Sequence, residues 1–149
     1  MRAVIQRVSR AGVTVGQERI ADIGSGLLVL LGVEQGDDEK AADYLAGKIA
    51  GLRIFEDESG KMNLSVADCS GELLVVSQFT LLADCRKGRR PGFSKAALPE
   101  LAEPLCNYFV DRLCNMDLPV QTGRFQADMA VDLINDGPVT IMLDSHRQF

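Results

Sequence analysis

Two short runs in this sequence carry residue types able to hold a polar ligand and act on it. Ser77, Gln78, Phe79 and Thr80 put two hydroxyls, an amide and an aromatic ring at the end of an apolar stretch. A ligand there would find side-chain and backbone donors together. The same pattern describes a strand emerging into solvent, and the residues alone leave the two readings level. The second run is Asn135, Asp136, Gly137, Pro138, Val139 and Thr140. A Gly-Pro step between apolar stretches is ordinarily a connection, since only about 5–6% of X-Pro bonds in folded proteins are cis. A cis step would point two neighbouring carbonyls the same way, making a rigid acceptor pair from backbone alone. Such a pair can fix an amino group and its α-carbon without reading a side chain.

Other chemistries lack their residues. There is no Gly-x-x-x-x-Gly-Lys-Ser/Thr phosphate loop, no Gly-x-Gly-x-x-Gly and no Gly-x-Ser-x-Gly elbow, which disfavours kinases, dinucleotide enzymes and ordinary serine esterases. Glu56, Asp57 and Glu58 are successive carboxylates in a turn and read as a solvated loop. The only histidine, His146, stands three residues from the end, where a mobile tail is expected, so a Ser/Cys-His arrangement has little to rest on. Cys69, Cys85, Cys106 and Cys114 include no Cys-x-x-Cys pair; no metal site is expected, and the thiols are read as reduced and mostly buried.

With 149 residues, 46% of them hydrophobic, the chain has the size of one domain with one packed core, expected to span residues 1–149. The longest uncharged apolar stretch, Ile23 to Val33, is interrupted by Gly24, Ser25, Gly26 and Gly32 and falls short of the roughly 20 residues a spanning helix needs. Arg2, Arg7 and Arg10 precede no secretory segment. No membrane is expected, and a cytoplasmic location is. The net charge of -5 argues against a non-specific nucleic-acid binder. Its distribution is uneven, however: Arg86, Lys87, Arg89, Arg90 and Lys95 lie between Cys85 and Pro99 without an acidic residue. That loop is either a solvated surface segment or a contact for one end of an RNA.

The elements that must position these residues follow from periodicity. Ala3 to Val8, Val13 to Ile23 and Gly26 to Val33 predict three strands, broken at Gly12 and Gly16, with the third buried on both faces. Asp37 offers an N-cap to a helix carrying Ala41, Leu45, Ile49 and Leu52. A short segment at Met62 to Val66 follows, then a strand from Glu72 to Leu82, on whose pleat Ser77 and Phe79 face one way and Gln78 and Thr80 the other. Leu101, Leu105, Phe109 and Leu113 mark a second helix that Pro104 should kink or restart. Phe125, Ala127, Met129, Val131 and Leu133 alternate with polar residues as a half-buried strand, which puts Gln126 toward solvent; Asp136 to Pro138 interrupt it before a last strand at Val139 to Leu143. The pattern predicts a mixed α/β fold, a largely antiparallel, barrel-like sheet flanked by two helices.

From end to end, the chain resembles the D-aminoacyl-tRNA deacylases. The resemblance rests on Gln6-Arg7-Val8, Gly60-Lys61-Met62-Asn63, Ser77-Gln78-Phe79-Thr80-Leu81, Arg90-Pro91 with Phe93 and Ser94, Thr122-Gly123 with Phe125, Ala127-Asp128-Met129, and Asn135-Asp136-Gly137-Pro138-Val139-Thr140. It implies a homodimer without metal or cofactor that hydrolyses the ester of D-aminoacyl-tRNA as chiral proofreading in translation. The pocket it implies is Ser77, Gln78, Phe79 and Thr80, beside the tRNA's 3′-terminal adenosine. Chiral selection falls to a cis Gly137-Pro138 reaching into the partner's site, with Arg7, Met129, Asn135, Val139 and Thr140 around it. Rejection of the L form would let glycine through, so removal of glycine from mischarged tRNA(Ala) is a second expected activity. With no side-chain base evident, the ribose 2′-hydroxyl is expected to assist; Thr80 as a nucleophile would need a base that the sequence does not supply. The rival readings are a non-catalytic RNA- or nucleotide-binding module of the same fold and a general acyl-ester hydrolase.

Overall fold

The computed structural model describes residues 1–148. Its centre is a long strand, β1 (Arg2–Val15), hydrogen-bonded along both edges. Along one edge run, antiparallel, β2 (Glu18–Ile23) and β3 (Gly26–Gly32); along the other runs β8 (Met129–Asp144), also antiparallel. Two parallel neighbours extend the sheet past β3: β6 (Glu72–Ser77), then β7 (Val120–Thr122). The sheet curls until its ends nearly meet, where the Gln121 side chain donates to the Asp22 carbonyl at 2.7 Å and accepts from the Asp22 amide at 2.9 Å. A separate hairpin, β4 (Phe55–Glu56) with β5 (Met62–Leu64), lies off the main sheet.

Alternation along β3 and β6 accounts for both layers of the core. Leu27, Val29, Leu31, Leu73 and Val75 face the helices α1 (Glu39–Ala50) and α2 (Pro99–Cys114), which pack on each other over that face. Leu28, Leu74 and Val76 point the other way, into the curl, where they meet Val8, Ala11 and Val13. β1 contributes to both because its pairing with β8 is irregular between Val8 and Arg10. A one-residue irregularity reverses strand parity, so Ala3 and Ile5 face the helices while Ala11 and Val13 face the curl. The expected mixed, barrel-like sheet with two helices is the observed architecture. No helix among the described residues is long and apolar enough to cross a membrane.

Several boundaries differ from expectation, each for a local reason. Gly12 does not break the first strand. A side chain there would collide with the Arg19 guanidinium, which crosses it to reach Asp22 and Asp132, so the glycine serves close approach, and of the two expected breaks only Gly16 is a turn. The cap of α1 is Asp38, whose carboxylate accepts from the Ala41 amide at 3.1 Å; Asp37 is occupied by the Met1 amino group at 2.6 Å and the Glu34 amide. α2 starts at Pro99 and runs unbroken through Pro104. Proline at the first position costs no hydrogen bond, and Pro104, like Glu100 one turn earlier, lies exposed, where water can serve the carbonyl left free. Of the cysteines only Cys106 is buried; Cys69, Cys85 and Cys114 are exposed, and all four are free thiols. His146 is not in a loose tail: its amide donates to the Asp144 carboxylate at 2.7 Å and its ring lies 3.3 Å from Asp37.

The parallel β3–β6 contact is close enough to need glycine. A Cβ on Gly26 would stand 1.9 Å from the Glu72 carbonyl oxygen, and backbone cannot rotate out of the way. Gly26→Ala is expected to cost about 2–3 kcal/mol, read as a lower urea midpoint with an unchanged denaturant slope.

Candidate active site

At Ser77 the β6 strand stops. The Gln78 amide still donates to the Leu31 carbonyl at 2.7 Å, but Phe79–Leu82 wind into a single 3-10 turn. Leu82 drives the turn: it is 1% exposed and packs over Gly32, where no side chain intervenes. Strand parity therefore fails beyond Ser77. Phe79 and Thr80 both emerge, Phe79 57% exposed, and the predicted strand to Leu82 ends five residues early.

Beside this strand end lies a cleft of about 590 Å³. Leu31, Val33 and Val76 form its apolar floor, and Ser77, Gln78 and Phe79 its polar wall. Pro99, Ala102 and Cys106 bring the first turns of α2 to another side, and the Phe125–Asp128 loop with Met129 closes the rest. That loop is not the strand its alternation predicts. β8 begins only at Met129, and Gln126 sits in a left-handed turn at φ 58°, exposed yet lining the cleft. Met129 is steered over Gly123, which has no side chain to oppose it.

Of the sequence-predicted pocket residues, Ser77, Gln78, Phe79 and Met129 come together here. Thr80 does not line the cleft; it stands beside it, its hydroxyl oxygen accepting from the Gln78 side-chain amide. Sequence reasoning missed Cys106 and the lining role of Gln126, the first because a helical Cys reads as core, the second because the loop mimics a strand. The Cys106 thiol is pushed up to about 12, mainly by burial and secondarily by the Glu103 carboxylate. It is neutral at physiological pH and no nucleophile. No cluster able to hold a metal ion occurs among the described residues.

Gly137, Pro138 and their neighbours form a separate cluster that does not line this chain's cleft. β8 pairs with β1 up to Asn135, opposite Val8, and resumes at Thr140, opposite Gln6. Asp136, Gly137, Pro138 and Val139 thus stand against the single residue Arg7. The Gly137-Pro138 bond is cis, Gly137 has φ 129°, and both residues are exposed. Beneath them Arg7 is only 5% exposed. Its Nε donates to the Asp136 carbonyl at 3.1 Å, its Nη1 to the Ile54 carbonyl at 2.5 Å, and the Asp136 carboxylate lies 3.2 Å away. Val139 turns inward and is buried, while the Thr140 hydroxyl bonds the Gln6 side chain.

Comparison with known proteins agrees along the whole chain. A family model described as D-Tyr-tRNA(Tyr) deacylase matches residues 4–144. A D-aminoacyl-tRNA deacylase of Symbiobacterium thermophilum is 62% identical over 149 residues, covering 100% of this chain and 99% of that one. Among solved structures, a c-Myc DNA unwinding element binding protein superposes with a TM-score of 0.91 at 47% identity, covering 97% of this chain and 98% of its own. A protein described as a probable eukaryotic D-amino acid tRNA deacylase has the same fold, with a TM-score of 0.80 at 17% identity over 95% of this chain and 97% of that one.

Two outcomes follow from this geometry. Arg7→Ala leaves two carbonyls and a carboxylate without their cation, and is expected to cost about 3 kcal/mol and to speed amide hydrogen exchange across residues 135–139. With a disulfide reagent at neutral pH, Cys69, Cys85 and Cys114 should react quickly and Cys106 only on unfolding. Because the folded Cys106 thiol titrates above its ordinary value of 9.0, its contribution to stability is intact below that value and is lost as pH rises from there toward 12.

Proposed function

This chain belongs to the D-Tyr-tRNA(Tyr) deacylase family, and on that footing we propose that it hydrolyses the ester joining a D-amino acid to the 3′-terminal ribose of tRNA, in the cytoplasm, as chiral proofreading. The observation that carries the reading is a cleft whose polar wall, Ser77 to Phe79, offers hydroxyl, amide and backbone groups, the one carboxylate that lines it being the exposed Asp128 on the Phe125–Asp128 loop. An aminoacyl ester is already reactive, so positioning and donors to the developing oxyanion suffice to accelerate it. The opening N–H groups of the Phe79–Leu82 turn have no partner within that turn, and they are the donors we assign. The neighbouring ribose 2′-hydroxyl assists. Thr80 is not the nucleophile, for its side-chain partner is the Gln78 amide, a donor that cannot take a proton.

Selectivity is assigned to Gly137-Pro138 of the partner subunit in a homodimer. Their carbonyls would hold the substrate's α-amino group so that an L side chain points into backbone and a D side chain points out. Arg7 holds that segment from below, and Asn135, Val139 and Thr140 fix its two ends, while Met129 borders the substrate. The support for a dimer is that Gly137-Pro138 lies outside this chain's own cleft. It stands on a strand whose outer edge is unpaired among the described residues and carries exposed Ile134 and Met142. Glycine has no side chain to reject, so glycine on mischarged tRNA(Ala) should be removed as well. No cofactor enters this reaction.

A second reading has one observation in its favour: the similar c-Myc DNA unwinding element binding protein is described by nucleic-acid binding. In it this chain would be a non-catalytic RNA- or nucleotide-binding module. Incubation with D-Tyr-tRNA and L-Tyr-tRNA separates the readings. Release of the D residue alone is the expected result; binding of both without hydrolysis favours the module, and release of both refutes rejection by backbone. Thr80→Ala should retain turnover, and its abolition with binding intact would restore the nucleophile. A Cβ on Gly137 would stand 2.8 Å from Arg7 Nη2 and 2.9 Å from Val139 Cγ2, so Gly137→Ala should displace the gate and reduce D-Tyr-tRNA turnover about 100-fold.

A further inference from the structure

We infer that Lys87, Arg89 and Arg90 bind the phosphate backbone of the RNA substrate where it leaves the cleft, a reading that rests on the deacylase assignment. The loop is pinned at its base by paired backbone hydrogen bonds between Asp84 and Gly92, at 2.7 and 3.0 Å. Immediately after that base, Phe93 packs edge-on against Phe79 with ring centroids 5.1 Å apart. Since Phe79 belongs to the polar wall of the cleft, the loop is attached to its rim. On this inference the nucleotide chain leading from a terminal residue seated at Ser77 to Phe79 runs along this rim.

The cations of the segment divide into two kinds. Arg86 is spent inside the loop, its Nε and Nη2 on the Asp84 carboxylate at 2.9 and 2.6 Å. That bond and the Arg86 amide hold Asp84 well below the usual carboxylate range, so it faces Arg86 as the charged carboxylate at neutral pH. Lys95 faces Glu34 at 3.6 Å. Lys87, Arg89 and Arg90 pair with no carboxylate among the described residues, and all three are exposed. Two of them, Lys87 and Arg90, border a shallow depression of about 550 Å³ that Gly92, Ser94 and the Asp84–Arg86 pair also line. On a protein of net charge -5 a polyanion is repelled in general and is admitted only where local charge is positive. Arginine forks and a lysine ammonium are suited to phosphate oxygens, which need no base-specific geometry. The partner is therefore an RNA backbone near the 3′ end, read for charge and not for sequence.

The test compares full-length D-Tyr-tRNA with 3′-O-(D-tyrosyl)adenosine, which keeps the ester and terminal nucleoside but has no phosphates, on the wild-type protein and on Lys87→Ala/Arg89→Ala/Arg90→Ala. The triple variant should raise KM for the tRNA about tenfold or more at low salt and leave its kcat and the turnover of the adenosine ester unchanged. The slope of log kcat/KM against log salt on tRNA should become shallower by about two, at roughly 0.7 for each single-strand phosphate that no longer has a cation beside it. Unimpaired turnover of the tRNA by the variant overturns this inference alone. Equal loss on both substrates also overturns it, since the loop would then be supporting the cleft. If the wild-type protein cleaves neither substrate, the deacylase assignment falls and this inference with it.

Discussion

A guanidinium taken out of water has to recover its hydrogen bonds from the protein, and the fold around Arg7 is arranged by that requirement. Its stem lies in β1, between residues whose side chains fill the two layers of the core, so little of the charge meets solvent. Its Nη1 takes the Ile54 carbonyl, which ties the chain leaving α1 to the middle of the sheet. Its Nε takes the Asp136 carbonyl, available only because β8 leaves the ladder at Asn135 and returns at Thr140. The exposed Gly137-Pro138 step is thus placed by a buried charge, through the Asp136 carbonyl that precedes it. A lysine could not do this, lacking the fork that serves two carbonyls at once.

The cleft is built on a complementary economy. Its floor is core, Leu31, Val33 and Val76, and its wall is the place where β6 runs out of strand partners. Leu82, buried over Gly32, folds the following residues into a tight turn and leaves their first N–H groups without partners in that turn. What the site offers a ligand at that wall is consequently backbone, hydroxyl and amide, with the Asp128 carboxylate on the neighbouring loop. The neutral Cys106 thiol at the edge of the cavity fits this character. Main-chain groups at the Phe79–Leu82 turn and at Gly137-Pro138 share one property: they hold position without side-chain entropy.

Charge is segregated around these two features. Acidic residues such as Glu34 and Asp37 are engaged with Lys95, the Met1 amino group and His146, while the tip of the basic loop stays unneutralised beside the rim. The Phe79–Phe93 contact makes that loop a continuation of the cleft wall and not a separate appendage.

The sequence by itself determined the large features. Alternation in β3 and β6 reports burial on both faces, helical spacing places α1 and α2, and the runs at Ser77 to Thr80 and Asn135 to Thr140 mark both clusters, because a side chain's polarity and period are local properties. It could not decide which residues those clusters would meet. Phe125 to Ala127 alternate like a strand yet turn, since nothing local says that pairing starts only at Met129. Phe79 to Leu82 continue an apolar run yet wind up, because the winding is set by the space above Gly32, fifty residues earlier in the chain. Gly12 looks like a break and is a seat for Arg19. Only the tertiary structure drew Cys106 and Gln126 into the cleft. Those outcomes depend on hydrogen-bond partners and free volume supplied by distant segments, and periodicity records the burial of a residue without recording what buries it.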